Sequence, residues 1–165
     1  MVVSPRALRE QKQLRIGVAG NYGAERAVQE VFEKAVEIIR SFRYLTRKTV
    51  APLADFSKGV ANIVSDREGI ARESFDDIDL LLLPTTATTV LRIRDANKPL
   101  ALSPENTMFA NYYGLPAVSV PCGFDNHGVP LGLEIVGRPS EEAAILRLAH
   151  QFQTAAGPSK RPPAL

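Results

Sequence analysis

The sequence predicts an α/β fold, a mixed β-sheet with packed helices, and three observations carry that prediction. Asp79-Leu-Leu-Leu-Leu-Pro84 is a continuous apolar run ended by proline. It has the make-up of a strand buried on both faces, as strands of a parallel sheet are. Upstream, residues 24–42 place Val28, Val31, Phe32, Ala35, Val36 and Ile39 along one helical stripe that must pack on something, most simply a sheet. Downstream, two short apolar runs within residues 117–136 flank turn residues and read as an antiparallel pair.

The elements follow in order. Leu14-Arg-Ile-Gly-Val-Ala19 alternates apolar residues at 14, 16 and 18 and reads as a short strand, closed by the turn residues Gly20-Asn-Tyr-Gly23. The helix over 24–42 comes next, then a second strand over Arg47–Ala51. Asp55 is the expected N-cap of a helix running to Phe75, which Gly59 and Gly69 weaken. The buried strand ends at Pro84, and residues 85–104 form a connection long enough to be functional rather than a mere link. A short helix is expected over 104–113, with Pro104 in its first turn and Gly114 ending it. Ala117–Pro121 and Val129–Val136 form the antiparallel pair around Asp125-Asn126-His127-Gly128. A last helix runs to Phe152, with Ser140 as N-cap, Glu141 and Glu142 near its positive end, and His150 near its C-terminus. One domain over 14–155 is expected, with an N-terminal extension over 1–13 and a flexible tail over 156–165.

Composition excludes several classes. The 165 residues suffice for one domain with a real core, and 45% apolar with 23% charged residues is ordinary for a soluble globular protein. The net charge is +2 and the charges are interspersed, so no nucleic-acid stripe is expected. No apolar run reaches membrane-spanning length, and residues 1–15 lack the apolar core of a signal peptide. A single cysteine, Cys122, cannot form an internal disulfide. A cytoplasmic location is expected.

Taken singly, most polar motifs carry structural readings. Gly17-Val-Ala-Gly20-Asn-Tyr-Gly23 follows a strand and precedes a helix, but its glycine spacing is not that of a dinucleotide-binding turn. Cys122 lies five residues from His127, yet it follows a buried strand and reads as a small core residue, with His127 a solvated turn residue. Asp76, Asp77 and Asp79 read as a solvated turn before the buried strand. Two histidines without an acidic partner pattern predict no metal site. In open α/β sheets ligands gather outside the carboxyl ends of strands. The segment after Pro84 is therefore the expected ligand side, with Thr85, Thr86 and Asn106 as candidate substrate-binding residues.

Two longer blocks carry a resemblance. Asn111-Tyr-Tyr-Gly-Leu-Pro-Ala-Val-Ser-Val-Pro-Cys-Gly-Phe124 and Gly128-Val-Pro-Leu-Gly-Leu-Glu-Ile-Val-Gly-Arg-Pro139 resemble the closing strands of the amidase signature family, serine hydrolases that cleave carboxamides. Asp77-Ile-Asp79 through Leu83-Pro84-Thr85 is similar to that family's strand ending in Pro-Thr. The resemblance covers most of residues 77–153 and, more weakly, 14–76. It implies the fold of the family's C-terminal part and no metal or organic cofactor. The family acts through a serine in a Gly/Ser-rich segment, a bridging second serine and a lysine. No position here matches them, so no catalytic residue is assigned. Serines 57, 65, 74, 103, 119 and 140 are scattered and none lies in a nucleophile elbow. Family members also carry a longer, largely helical stretch where this chain has residues 50–60, which implies a missing pocket wall.

The function expected from the resemblance is that of the C-terminal portion of an amide hydrolase, inactive alone. In the full enzyme its ligand would be a small-molecule amide. The alternatives are a non-catalytic, self-associating binding relative, or a subunit whose partner supplies the catalytic half. A nucleotide-binding domain ranks last.

Overall fold

A computed structural model describes residues 14–48, 62–91, 93–95 and 105–157. The elements are β1 (Ile16–Ala19), α1 (Arg26–Arg40), β2 (Leu45–Lys48), α2 (Ile63–Glu73), β3 (Leu80–Pro84), a 3-10 turn (Ile93–Asp95), α3 (Glu105–Tyr113), β4 (Ala117–Phe124), β5 (Pro130–Gly137) and α4 (Glu142–Ala156). The strands form one mixed sheet in the order β2-β1-β3-β5-β4. β1 pairs parallel with β2 and β3, while β5 pairs antiparallel with β3 and β4. The expected α/β class with a mixed sheet is what the chain adopts.

Strand alternation sorts the core into two layers. Ile16, Val18, Leu80, Leu82, Leu133 and Ile135 face α1 and α4, where Phe32, Val36, Ile39, Ile145, Leu148 and Phe152 pack on them. Ala19, Leu81, Leu83 and Val136 face α2 and α3, against Ile70, Phe75, Phe109 and Ala110. Leu80 to Leu83 are at most 2% exposed, so β3 is buried on both sides, as its unbroken apolar run requires. The α1 stripe is buried at Val28, Phe32, Ala35, Val36 and Ile39.

Several expectations need correction. β2 begins at Leu45, two residues ahead of the expected Arg47, because its register is set by pairing with β1 rather than by its own polar sequence. β4 runs on to Phe124 past Pro121, through a register shift between Pro121 and Gly123 that leaves Cys122 as the extra residue. Ser140 is not an N-cap. It sits at φ +69°, whereas a capping residue needs the extended region, and Glu141 precedes α4 without a side-chain cap. α4 continues to Ala156, so His150 lies well inside the helix and not in its last turn. The described part of the second helix is Ile63–Glu73, and Phe75 lies beyond its end. The expected N-cap Asp55, residues 50–60, Pro104 and most of the two termini lie outside the described residues.

The short helix over 105–113 ends as its glycine predicts. Gly114 has φ +66°, its N–H donates to the Asn111 carbonyl (3.3 Å), and the Leu115 N–H donates to the Ala110 carbonyl (2.9 Å). That is a Schellman closure, with buried Leu115 as its apolar partner. Arg67 of α2 donates to the last carbonyls, those of Tyr112 (2.7 Å) and Asn111 (3.3 Å). The Tyr112 hydroxyl donates to Asp66 (2.6 Å), a bond that, with partial desolvation, pushes its pKa up to about 12. Asn111 and Tyr112 thus tie α3 to α2.

Asp79 is not solvated. It is 5% exposed and accepts from the Arg15 backbone N–H (3.0 Å) and guanidinium (2.9 Å), with Arg138 at 3.7 Å. Arg138 also donates to the carbonyls of Phe75 and Ile78. Arg15 precedes β1, Asp79 precedes β3 and Arg138 follows β5. One carboxylate therefore clasps three strands at one end of the sheet. Asp76 and Asp77 are exposed, as expected of a turn.

Candidate functional site

The opposite end of the sheet is where the loops gather. β1 and β3 are adjacent and parallel, yet the chain leaves β1 toward β2 on one side and returns to β3 on the other. This reversal makes the carboxyl ends of β1 and β3 a topological switch point, the position where open α/β sheets form a ligand crevice. The β4–β5 turn reaches the same end, because β5 runs antiparallel to β3.

Three connections meet there. The Glu25 N–H donates to the Ala87 carbonyl (2.7 Å), and the Glu25 carboxylate accepts from the Thr89 N–H and hydroxyl (both 3.2 Å). The loop after β1 is thereby zipped to the loop after β3. Asn106, in the first turn of α3, donates through Nδ2 to the Gly23 carbonyl (3.3 Å) and is 1% exposed. Its Oδ1 is buried and has no hydrogen-bond partner among the described residues. A neighbouring cleft of about 380 Å³ is lined by Thr89, Val90, Leu91, Asp125, His127 and Val129. Asp125 shapes its floor by accepting from the His127 and Val129 N–H groups (both 2.8 Å).

The three expected residues lie at this end but in different roles. Thr86 is exposed and its hydroxyl donates to the Thr88 carbonyl (3.0 Å), stiffening the loop. Thr85 donates its N–H to the Gly132 carbonyl (2.9 Å), and its hydroxyl meets that of Ser119 at 2.6 Å. Asn106 anchors the loop after β1. No hydrogen bond joins Asn106 to either threonine.

Sequence reasoning passed over Ser119 and Glu134. Both lie on the sheet face that Leu83 and Thr85 share, and they are direct cross-strand partners. Glu134 is 5% exposed, its Oε2 has no partner among the described residues, and burial pushes its carboxyl up from an ordinary 4.5 to about 7. The available signal was a lone acid inside Leu131–Val136, a run whose two alternating faces are both apolar.

Two other motifs settle into structural roles. Burial pushes the Cys122 thiol up to about 11, and Sγ lies 3.4 Å from the Leu131 carbonyl, so it is no activated nucleophile. His127 is an exposed turn residue. At the glycine turn before α1, Glu25 precedes the helix without capping it, its carboxylate instead accepting from Thr89. Among the described residues, no three or more His, Cys, Asp or Glu side chains are grouped to hold a metal. No described helix is long and apolar enough to cross a membrane.

Known proteins share this geometry and parts of the sequence. The family described as Amidase matches residues 61–146. A glutamyl-tRNA(Gln) amidotransferase subunit of Synechococcus sp. (strain WH7803) is 46% identical over 93 residues, covering 54% of this chain and 19% of that protein. The protein of the same name from Brevibacillus brevis is 43% identical over 86 residues, covering 50% and 18%. The chain thus spans about a fifth of the length of these relatives. Among solved structures, the corresponding glutamyl-tRNA(Gln) amidotransferase subunit from Thermotoga maritima superposes with a TM-score of 0.69 at 21% identity, covering 86% of this chain and 42% of that one. The urea amidolyase of K. lactis gives 0.73 at 21% identity, covering 91% and 12%. A bacterial aryl acylamidase gives 0.66 at 19% identity, covering 87% and 44%. At these identities the solved structures speak for the fold.

Proposed function

The chain belongs to the amidase family, and from that premise we propose that it forms one wall of the pocket of an enzyme hydrolysing carboxamide C–N bonds. The supporting observation is the switch point at the carboxyl ends of β1 and β3, where the loops after both strands are zipped together at Glu25 beside a cleft of about 380 Å³. Amide hydrolysis needs an activated nucleophile, a proton carrier for the leaving nitrogen and oxyanion donors. Among the described serines, Ser41 and Ser65 donate to the carbonyls of Ile38 and Asn62, and Ser74 is buried. Ser119 shares a hydrogen bond with Thr85, and Ser140 sits in a turn. Ser119 lies across the strands from Glu134, but its hydroxyl is engaged with that of Thr85. In this reading the nucleophile and lysine come from polypeptide outside these 165 residues. The chain contributes the sheet, the crevice floor at Thr85 and the loop at Thr86, and hydrolyses nothing alone. Its ligand is a small-molecule amide, and the reaction needs no metal or organic cofactor.

The test is to treat an extract of source cells with a fluorophosphonate, which labels activated serines, and to recover the product with an antibody against residues 111–139. A labelled band much larger than 18.0 kDa is expected. A labelled band at 18.0 kDa would overturn the proposal, because the nucleophile would then lie within this chain.

A second reading has support of its own, since the relatives' name makes them subunits of an amidotransferase. Here a partner protein would supply the catalytic half. Co-recovery of the 18.0 kDa chain with a labelled partner would establish it. Self-association draws less support. β2 is short and carries Arg47 and Lys48, and β4 carries Pro121 and a bulge, features that blunt sheet edges.

A further inference from the structure

Glu134 is a buried acid without a visible reason. It sits mid-strand on β5, between cross-strand neighbours Leu83 on β3 and Ser119 on β4. It is 5% exposed, and Oε2 is buried with no hydrogen-bond partner among the described residues. An unpaired acceptor taken out of water is costly, and native proteins seldom tolerate one without a use.

Its surroundings are polar on one side only. One step along the same face, Thr85 Oγ1 and Ser119 Oγ meet at 2.6 Å directly over Gly132. A Cβ on Gly132 would lie 2.5 and 2.6 Å from those two oxygens, so the missing side chain is what lets them meet. Two hydroxyls carry two protons, and their mutual bond uses one. The other proton and the remaining lone pairs are available. Ser119 is exposed and Thr85 half-buried, so the pair opens toward solvent while Glu134 lies behind it. A buried acceptor without a donor among the described residues, cross-strand from one of two paired hydroxyls, lacks an N–H.

We propose that Glu134, with the Thr85–Ser119 hydroxyl pair, is a ligand subsite that receives an N–H-donating nitrogen, either a primary ammonium or a carboxamide. The carboxylate accepts the N–H, and the hydroxyl pair accepts a second N–H of an ammonium or donates to the oxygen of an amide. Gly132 keeps the subsite open. Glu134 binds and orients, and takes no part in bond breaking. The subsite stands without the amide-hydrolase reading, because binding alone tests it.

The test is an NMR titration of the ¹⁵N-labelled chain with n-butylammonium, with butyramide, and with butyrate as the control. The proposal expects saturable shifts at the amides of Ser119, Leu133 and Glu134 with the ammonium or the amide, and none with butyrate. Saturation by the ammonium alone, lost on Glu134→Gln, identifies an amino-bearing ligand. Saturation by butyramide, retained in Glu134→Gln, identifies a carboxamide. Glu134→Leu should weaken either about tenfold or more, since a hydrogen bond to a charged group is removed. Ser119→Ala, on the exposed side of the pair, is the second variant should Glu134→Leu not fold, and is expected to weaken binding several-fold. Absence of saturable shifts at these amides with both nitrogen probes overturns the proposal. So does binding that is unchanged in both Glu134→Leu and Ser119→Ala.

Discussion

At the scale of single residues, Glu134 ties stability to pH. Its folded pKa of about 7 lies above its ordinary 4.5, because burial penalises the ionised form. Between those values the folded state holds a proton that the unfolded state has released, so stability falls as pH rises. The favourable contribution is complete below about pH 4.5 and lost above about pH 7. Glu134→Gln removes this dependence. Urea melts should show the variant matching the parent near pH 4 and exceeding it by about 3 kcal/mol at pH 8, since one pKa unit is about 1.4 kcal/mol. Gly132 makes the opposite kind of prediction. Gly132→Ala forces Thr85 and Ser119 apart and should cost about 1–3 kcal/mol, as overpacking does, with the shift confined by NMR to β3, β4 and β5. At Cys122 the raised thiol predicts slow alkylation by iodoacetamide at pH 8, rising only as pH nears 11. Fast labelling at pH 8 would show that the bulge opens.

At the scale of elements, α3 shows how little its own sequence has to do. Its nine residues are too few to be stable in isolation. It is held by Phe109 in the core, by the Schellman closure at Gly114 and by Arg67 on its last carbonyls. Gly114→Ala should cost about 1–2 kcal/mol, the penalty of a left-handed residue with a Cβ. Phe109→Ala should cost about 3–5 kcal/mol. Because Asn106 holds the loop after β1, loosening α3 should also raise hydrogen exchange over residues 20–25. The same reasoning accounts for the errors of sequence reading. β2 and the end of β4 are placed by their neighbours' hydrogen bonds, which no local pattern encodes. Ser140 had the right residue type for a cap, but the Arg138–Glu141 turn, closed by the Glu141 N–H on the Arg138 carbonyl (3.1 Å), puts it in the left-handed region.

At the scale of the whole molecule, the sheet is clasped at one end, and its loops gather at the other. Asp79 joins the chain before β1, before β3 and after β5, in a place where it is almost wholly removed from water. Asp79→Ala leaves Arg138 part-buried without its carboxylate and should lower Tm by about 5 °C without altering the crevice loops. Thr86→Ala makes the converse prediction. In an active longer form it should weaken substrate affinity and leave Tm nearly unchanged, because Thr86 is exposed and bonds only within its own loop. An unchanged KM would remove the loop after β3 from the pocket wall.

What the sequence determined by itself was the periodic part. The apolar run before Pro84, the α1 stripe, the hairpin around Asp125–Gly128 and Gly114 as a helix stop are local patterns, and local patterns specify strands, helices and turns. The family blocks over 111–139 were legible for the same reason. Which polar groups are buried, and what they meet, depended on how the strands and helices assemble. Asp79 and Glu134 each adjoin apolar residues in the sequence. One finds Arg15 and Arg138 across the sheet, and the other finds no donor for its Oε2. That difference depends on partners as many as 64 residues away in the chain. Burial raises its consequence, because a missing partner costs most where water cannot replace it.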